Sequence, residues 1–311
     1  MNSYRLALYR AALRLKKANY WLVAQLVSGM FWLLRRLPAD SAIDLADRLG
    51  RFAGPLSGRH RLAIDNLRQA FPEKTDDEIE RIAREMWGHM GRLMGEYLFI
   101  DTLSTFELEA GSDQRVEIAG LDLAKSIRDE GDRPRIFFTA HTGNFEMVPV
   151  AAAIHGIRPT VLYRAPNNPY LAERILAIRG GSMGNLLASR PGAALTLARL
   201  LDSGKSVGML VDQKFHGGVR GRFFGRECLT SPLVPKLAAQ TECDIYPCRC
   251  VRLPGNRYRI EIEDRMELPR NAAGKVDVAA SVQAINDVVE RWVREHPEQW
   301  MWIHRRWQIP G

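Results

Sequence analysis

The sequence predicts an α/β protein, a mostly parallel β-sheet flanked by helices behind a helical amino-terminal region. Two observations carry this. From Val116 onward, short runs rich in β-branched and aromatic residues alternate with helical ones, the order that builds parallel sheets. Before that point the periodicity is helical. With 311 residues, 46% of them hydrophobic, the chain can bury one large core and carry a smaller helical segment. We therefore expect an amino-terminal helical region over residues 1–110 and an α/β core over 111–311.

The amino-terminal region holds the strongest apolar run, residues 20–34. At 1.5 Å per residue it spans about 22 Å, short of a bilayer core. Both flanks are basic, with Arg10, Arg14, Lys16 and Lys17 before it and Arg35 and Arg36 after it. Trp21 and Trp32 stand near its ends. Balanced positive charge favours a helix lying in a membrane interface, or a shallow anchor over about 20–37, with a buried core helix or a marginal transmembrane helix as the alternatives. No small-residue cleavage site follows it, so it does not read as a signal peptide. Helix continues over about 41–100, broken at Phe71-Pro72 and restarted by the capping sequence Thr75-Asp76-Asp77-Glu78.

In the core the expected strands are 136–139, 160–163, 207–211, 244–251 and 258–262. The expected helices are near 121–130, 145–154, 170–178, 193–202 and 231–239, with a long one at about 276–295. Segments that follow the strands should gather at one rim of the sheet, where open α/β folds bind ligands.

The residue of most chemical interest lies on that rim. His141 ends the strand-like run Ile136-Phe137-Phe138-Thr139, and Glu146 follows five residues later. Gly143 breaks the pattern and Asn144 is a good N-cap for a helix starting at Phe145. An imidazole on such a turn, with a carboxylate folding back onto it, is equipped to take a proton from a hydroxyl near neutral pH. Spacing alone is weak, because His60 also stands five residues before an acid, Asp65. That pair lies in a continuous helical stretch, where five residues point the side chains to different faces. His60 reads as a surface histidine.

Other rim segments are Tyr163-Arg164 with Asn167-Asn168, Asp212-Gln213-Lys214, and the stretch from Gly217 to Arg226. Arg164, Lys214, Arg220, Arg222 and Arg226 are candidate phosphate ligands, since guanidinium forks match phosphate oxygens.

Composition limits the partners. A net charge of +8 points to an anionic one, whether nucleic acid, anionic lipid or an acidic carrier protein. No RNA-binding aromatic signature or zinc-finger spacing occurs. Of the four cysteines, Cys248 and Cys250 alternate on one face of an expected strand, and with Cys228 and Cys243 they read as reduced core thiols rather than a metal site. The chain lacks a G-x-S-x-G elbow and an H-E-x-x-H helix. Gly204-Lys205-Ser206 fails as a phosphate loop because Arg199 occupies the required glycine position. Without a clear serine or cysteine nucleophile, direct transfer to an acceptor hydroxyl is favoured over a covalent intermediate.

His141-Thr142-Gly143-Asn144-Phe145-Glu146 resembles the histidine-and-acid motif of the late acyltransferases of lipid A biosynthesis, the lauroyl/myristoyl type, within the lysophospholipid acyltransferase group. Further blocks match in order: Asn66-Leu67 with Phe71-Pro72, Glu96, Tyr163-Arg164 with Asn167-Asn168, Asp212-Gln213, Phe223-Phe224-Gly225 with Thr230, and the run from Trp302 to Trp307. The resemblance covers about 20–307. It implies a glycerolipid acyltransferase-like α/β fold and an enzyme at the cytoplasmic face of the bacterial inner membrane. It further implies an acyl carrier protein, or coenzyme A, as donor and a hydroxyl of an anionic lipid A precursor as acceptor. No cofactor, metal or nucleic acid is implied.

His141 and Glu146 are then the expected catalytic pair, with Glu146 orienting the imidazole. Backbone N–H groups around residues 144–146 are the expected oxyanion donors. Asn144, Arg164, Asp212, Gln213 and Arg222 are the expected substrate-binding or supporting residues. A phosphatidylinositol mannoside acyltransferase shares the same plan. A thioesterase or phospholipase using the same base on water, and a non-catalytic binder of anionic membranes, are the alternatives from other classes.

Overall fold

A computed structural model describes residues 3–100 and 115–308. The predicted boundary between residues 110 and 111 lies outside the described residues. Helix α1 (Ser3–Leu34) is one continuous helix, longer than the apolar run alone. It is followed by α2 (Ala39–Ala53), α3 (His60–Ala70) and α4 (Asp76–Tyr97). The capping sequence before α4 works as expected. The Thr75 hydroxyl accepts from the Glu78 N–H at 3.3 Å, and the Glu78 carboxylate accepts from the Thr75 N–H at 2.8 Å.

Helices α2 and α4 cross closely because small residues meet there. A Cβ on Gly91 would run into the Ala46 carbonyl, and one on Gly50 into the Trp87 carbonyl. Helices α3 and α4 pack on the α/β part, with Leu67 and Ile79 in the same buried cluster as Ile136, Val207 and Trp302. The Asn66 side chain donates to the carbonyls of Trp302 at 2.7 Å and His304 at 2.9 Å, which ties two distant blocks of sequence together. His60 corrects the expectation of a surface side chain. It is half-buried between α3 and α4, with Glu80 at 3.2 Å from Nε2, and Nδ1 accepts from the Trp87 indole N–H at 3.2 Å.

The α/β part runs β1 (Val116–Ala119), α5 (Leu121–Asp129), β2 (Arg135–Thr139), α6 (Met147–Ile154), β3 (Thr160–Tyr163), α7 (Pro169–Ser182), β4 (Asn185–Ala188), α8 (Ala193–Asp202) and β5 (Ser206–Leu210). It continues with β6 (Val219–Phe223), β7 (Arg226–Thr230), α9 (Leu233–Gln240), β8 (Asp244–Leu253), β9 (Arg257–Ile262) and α10 (Val278–Glu295). Seven strands form one sheet in the order β1-β9-β8-β2-β5-β3-β4. Every pairing is parallel except the β8–β9 hairpin. The α/β class and the mostly parallel sheet flanked by helices are as the sequence predicts.

Three features escape it. Strands β1 and β4, four residues each, are absent from the expected set, and β4, Asn-Leu-Leu-Ala, has no β-branched or aromatic residue to mark it. The stretch read as a loop after residue 217 contains the antiparallel hairpin β6–β7. Its strands, Val-Arg-Gly-Arg-Phe and Arg-Glu-Cys-Leu-Thr, carry little of the usual strand composition. They are held instead by α10, where Asn286 and Gln283 donate to the Arg222 carbonyl, each at 3.1 Å.

Candidate active site

The register of the sheet builds the site. Strands β2 and β5 are neighbours, paired as far as Thr139 with Leu210, and the Val211 N–H donates to the Thr139 carbonyl at 3.1 Å. Two residues past that last pair, the strands deliver His141 and Asp212 to facing positions. Asp212 is buried and its carboxylate accepts three hydrogen bonds. They come from His141 Nδ1–H at 2.8 Å, from the His141 backbone N–H at 3.0 Å and from the Trp300 indole N–H at 2.8 Å. Burial alone would raise the Asp212 carboxyl. Attraction to a charged His141 and the hydrogen bonds from His141 and Trp300 outweigh it and hold the group well below the usual carboxylate range. Donation from Nδ1 fixes the neutral tautomer and leaves a lone pair on Nε2, the nitrogen that Gln213 Nε2 approaches at 3.2 Å. The ring packs edge-on against Phe145, with centroids 4.9 Å apart.

The expectation that Glu146 folds back onto His141 is corrected by this geometry. The Glu146 carboxylate is held by Arg179 of α7, whose Nε donates to Oε2 at 3.1 Å and whose Nη2 makes a second, closer bond to Oε1. A permanently charged guanidinium outcompetes a neutral imidazole for a buried carboxylate. Arg179 also donates to the Tyr97 hydroxyl at 3.1 Å and lies about 6 Å from the ring centroids of Tyr97 and Tyr163. The Tyr97 hydroxyl is pushed well above its ordinary value, first by burial and then by the Glu146 charge. Glu146 therefore fixes the Arg179 cation in the wall of the site and, through it, the Tyr97 hydroxyl.

Two further expectations change. Asn144 does not cap α6, which begins at Met147 behind Glu146 with no side-chain cap. Its side chain instead donates to Glu96 of α4 at 2.8 Å. The Gly143 N–H donates to the Gln299 carbonyl at 2.9 Å, and of the expected oxyanion donors at 144–146 only that of Asn144 is turned elsewhere, to the Cys250 thiol. Burial pushes that thiol up to about 12, so it stays protonated. Gly143 is required here. Its φ is +56°, and a Cβ would run into the Cys250 carbonyl.

A cavity of about 920 Å³ opens beside His141, at the upper end of the range for small-molecule sites. Its rim carries Arg164 after β3 and Lys214 after β5, with Gln213 and Glu146 alongside. From there it runs down the sheet face beneath α6, past Phe137, Val148, Gly208, Cys248 and Ile260, to Ile157 near the amino end of β3. The lining is mostly apolar, with His155 beside its Ile157 end, which suits a hydrocarbon chain. Arg164 is exposed and has no carboxylate within 4 Å among the described residues.

Of the predicted residues, the structure brings His141, Glu146, Arg164 and Gln213 to the cavity wall. Asn144 and Asp212 stand behind it as buried supports. Arg222 is corrected: it is exposed on β6 and lines no part of the cavity, its backbone being tied to α10. Arg179 and Trp300 are new. Arg179 follows its carboxylate partner by 33 positions and Trp300 follows its own by 88, with no local spacing to announce either.

The chain thus places an imidazole, hydrogen-bonded to a buried carboxylate, beside a mostly apolar cavity at the carboxyl edge of a parallel sheet. The family model described as bacterial lipid A biosynthesis acyltransferase matches residues 10–309, and the chain belongs to that family. The lipid A biosynthesis palmitoleoyltransferase of Escherichia coli K12 is 24% identical over 298 residues, covering 93% of this chain and 92% of that protein. The lipid A biosynthesis myristoyltransferase of the same organism is 25% identical over 260 residues, covering 82% and 77%. The lipid A biosynthesis acyltransferase of Haemophilus influenzae is 24% identical over 293 residues, covering 92% and 87%. Membership gives the reaction class, acyl transfer in lipid A biosynthesis.

Proposed function

We propose that this protein moves a fatty acyl group from an acyl carrier protein thioester to a hydroxyl of a lipid A precursor, at the cytoplasmic face of the bacterial inner membrane. His141 is the general base and Asp212 is its partner. The observation that carries the reading is His141, hydrogen-bonded through Nδ1 to the buried Asp212 and facing a mostly apolar cavity.

The acyl chain occupies the cavity, with its thioester carbonyl at the rim. The acceptor hydroxyl displaces the Gln213 amide from Nε2. His141 takes the hydroxyl proton as the oxygen attacks the carbonyl, and Asp212 stabilises the imidazolium that forms. The tetrahedral intermediate collapses, the carbon–sulfur bond breaks, and the imidazolium returns the proton to the leaving thiolate. Arg164 is the cation available to the developing oxyanion or to a phosphate of either substrate. The reading needs no cofactor and no metal.

The surface supports a membrane setting. No helix among the described residues is long and apolar enough to cross a membrane. Helix α1 nevertheless exposes Trp21, Leu22, Leu26, Met30, Trp32 and Leu33. It is fastened to the rest of the chain by Arg35, which donates to the Leu98 carbonyl, and by Asn168, which donates to the Tyr20 carbonyl at 2.8 Å. Exposed aromatic and aliphatic side chains between basic flanks suit an anionic interface. The net charge of +8 suits an acidic carrier protein as donor.

The test is turnover of acyl-(acyl carrier protein) by the purified protein, with and without lipid A precursor in anionic vesicles. Ester formation that depends on the acceptor is expected. Equally rapid release of free fatty acid without acceptor would make the protein a hydrolase. Transfer from acyl-coenzyme A alone would move the donor assignment.

A further inference from the structure

We propose that Glu96, on α4 of the helical region, is a positioning residue that sets the shape of the turn carrying His141. This rests on the acyltransfer reading of that site.

Glu96 is 2% exposed, and a carboxylate so buried must be matched by donors. Three converge on it. Asn144 Nδ2 donates to one oxygen at 2.8 Å. The Tyr258 hydroxyl, at 2.7 Å, and Arg252 Nη1 donate to the other. Two of these three reach the catalytic turn. Asn144 belongs to it, and Arg252 uses its second nitrogen, Nη2, to hold the Gly143 carbonyl at 3.3 Å. The turn needs such a clamp, because Gly143 sits at positive φ and the Asn144 side chain caps no helix. The opposite side of the turn is held by the segment after α10. The Gln299 carbonyl accepts from Gly143, and the Met301 N–H donates to the His141 carbonyl at 3.2 Å. Glu96 thus works through Asn144 and Arg252 and touches neither His141 nor the cavity.

The chemistry of the cluster makes the carboxylate hard to replace. An amide at position 96 removes the negative charge that matches the buried Arg252 guanidinium, and it keeps the Asn144 bond only if Asn144 turns its Oδ1 toward the new N–H. In Glu96→Gln the Arg252 charge loses its counter-ion and the Asn144 amide must reorient, and the turn relaxes. A shift of about 1 Å in the base is worth roughly 10²-fold in rate.

The experiment is a double-mutant cycle on the full-length protein in vesicles, using E96Q, N144A and the double variant E96Q/N144A. The variant Y258F serves as a control. We measure kcat, KM and thermal midpoint for each. The expected result is a fall in kcat of about 10²-fold in E96Q and N144A, with KM nearly unchanged. The double variant should fall no further than the worse single one, because both act on the same turn. Y258F removes a donor that does not touch the turn, so it should lower the midpoint and spare kcat. Wild-type kcat in E96Q, or losses that multiply in the double variant, would overturn the proposal. So would a loss in Y258F that matches that of E96Q, which would mean stability alone. If E96Q does not fold, N144A and Y258F decide the matter, and wild-type kcat in N144A overturns it. An inactive wild-type protein would sink the functional reading instead.

Discussion

His141→Ala should lower kcat by about 10³–10⁴-fold while KM for the acyl donor stays nearly constant. Positioned general bases contribute about 10²–10⁴-fold. The upper part of that range is expected, because the whole imidazole–carboxylate unit is disabled at once. The cavity that holds the acyl chain is built by other residues, so donor binding should survive. The side chain is only partly buried at the rim, so the variant should fold. Steady-state kinetics with near-ultraviolet circular dichroism check both halves. Turnover within tenfold of wild type would remove His141 from its role.

Asp212→Asn should cost nearly as much, about 10³–10⁴-fold in kcat, as when an amide replaces the carboxylate of a comparable triad. The amide leaves the shape intact but cannot stabilise an imidazolium. Its NH₂ can also face Nδ1 and drive the proton to Nε2, where the lone pair is needed. The variant carries a stability signature too. The folded Asp212 carboxyl is held below its ordinary range, so its contribution is present above the unfolded pKa of about 4 and is lost as pH falls through the lower folded value. The difference in stability between wild type and variant should therefore be largest near neutral pH and shrink below about pH 4. A variant that keeps most of its activity, or a gap that widens in acid, would contradict the pairing. Glu146→Gln makes a useful contrast, since it disturbs Arg179 and Tyr97 without changing the tautomer of His141.

How much of this the sequence reveals depends on how local each feature is. The five core strands carry apolar runs bounded by breakers, so the sheet and its parallel character are legible. His141 is legible for the same reason, as a polar residue where a buried strand ends. Its partner is not. Glu146 is five residues away and Asp212 is 71 positions away, and proximity in sequence favours the wrong one. The choice rests on strand order. Only the adjacency of β5 and β2 sets Asp212 opposite His141, and nothing in the composition of either strand encodes it. Asp212-Gln213 is recognisable as a rim segment, but its register is not. Asn144 illustrates the same limit. Its residue type suits an N-cap, yet Glu96 of another region claims its amide. Arg222 fails for a different reason, since an arginine run after a strand reads as an anion site whether or not the hairpin turns it away.

The most direct measurement is mass spectrometry of lipid A from bacteria lacking this gene and carrying either the wild-type copy or H141A. The wild-type copy should restore a species heavier by one fatty acyl group, and the variant, at equal protein level, should not. An acyl group added equally by both copies, or by neither, would contradict an acyl transfer to lipid A driven by His141.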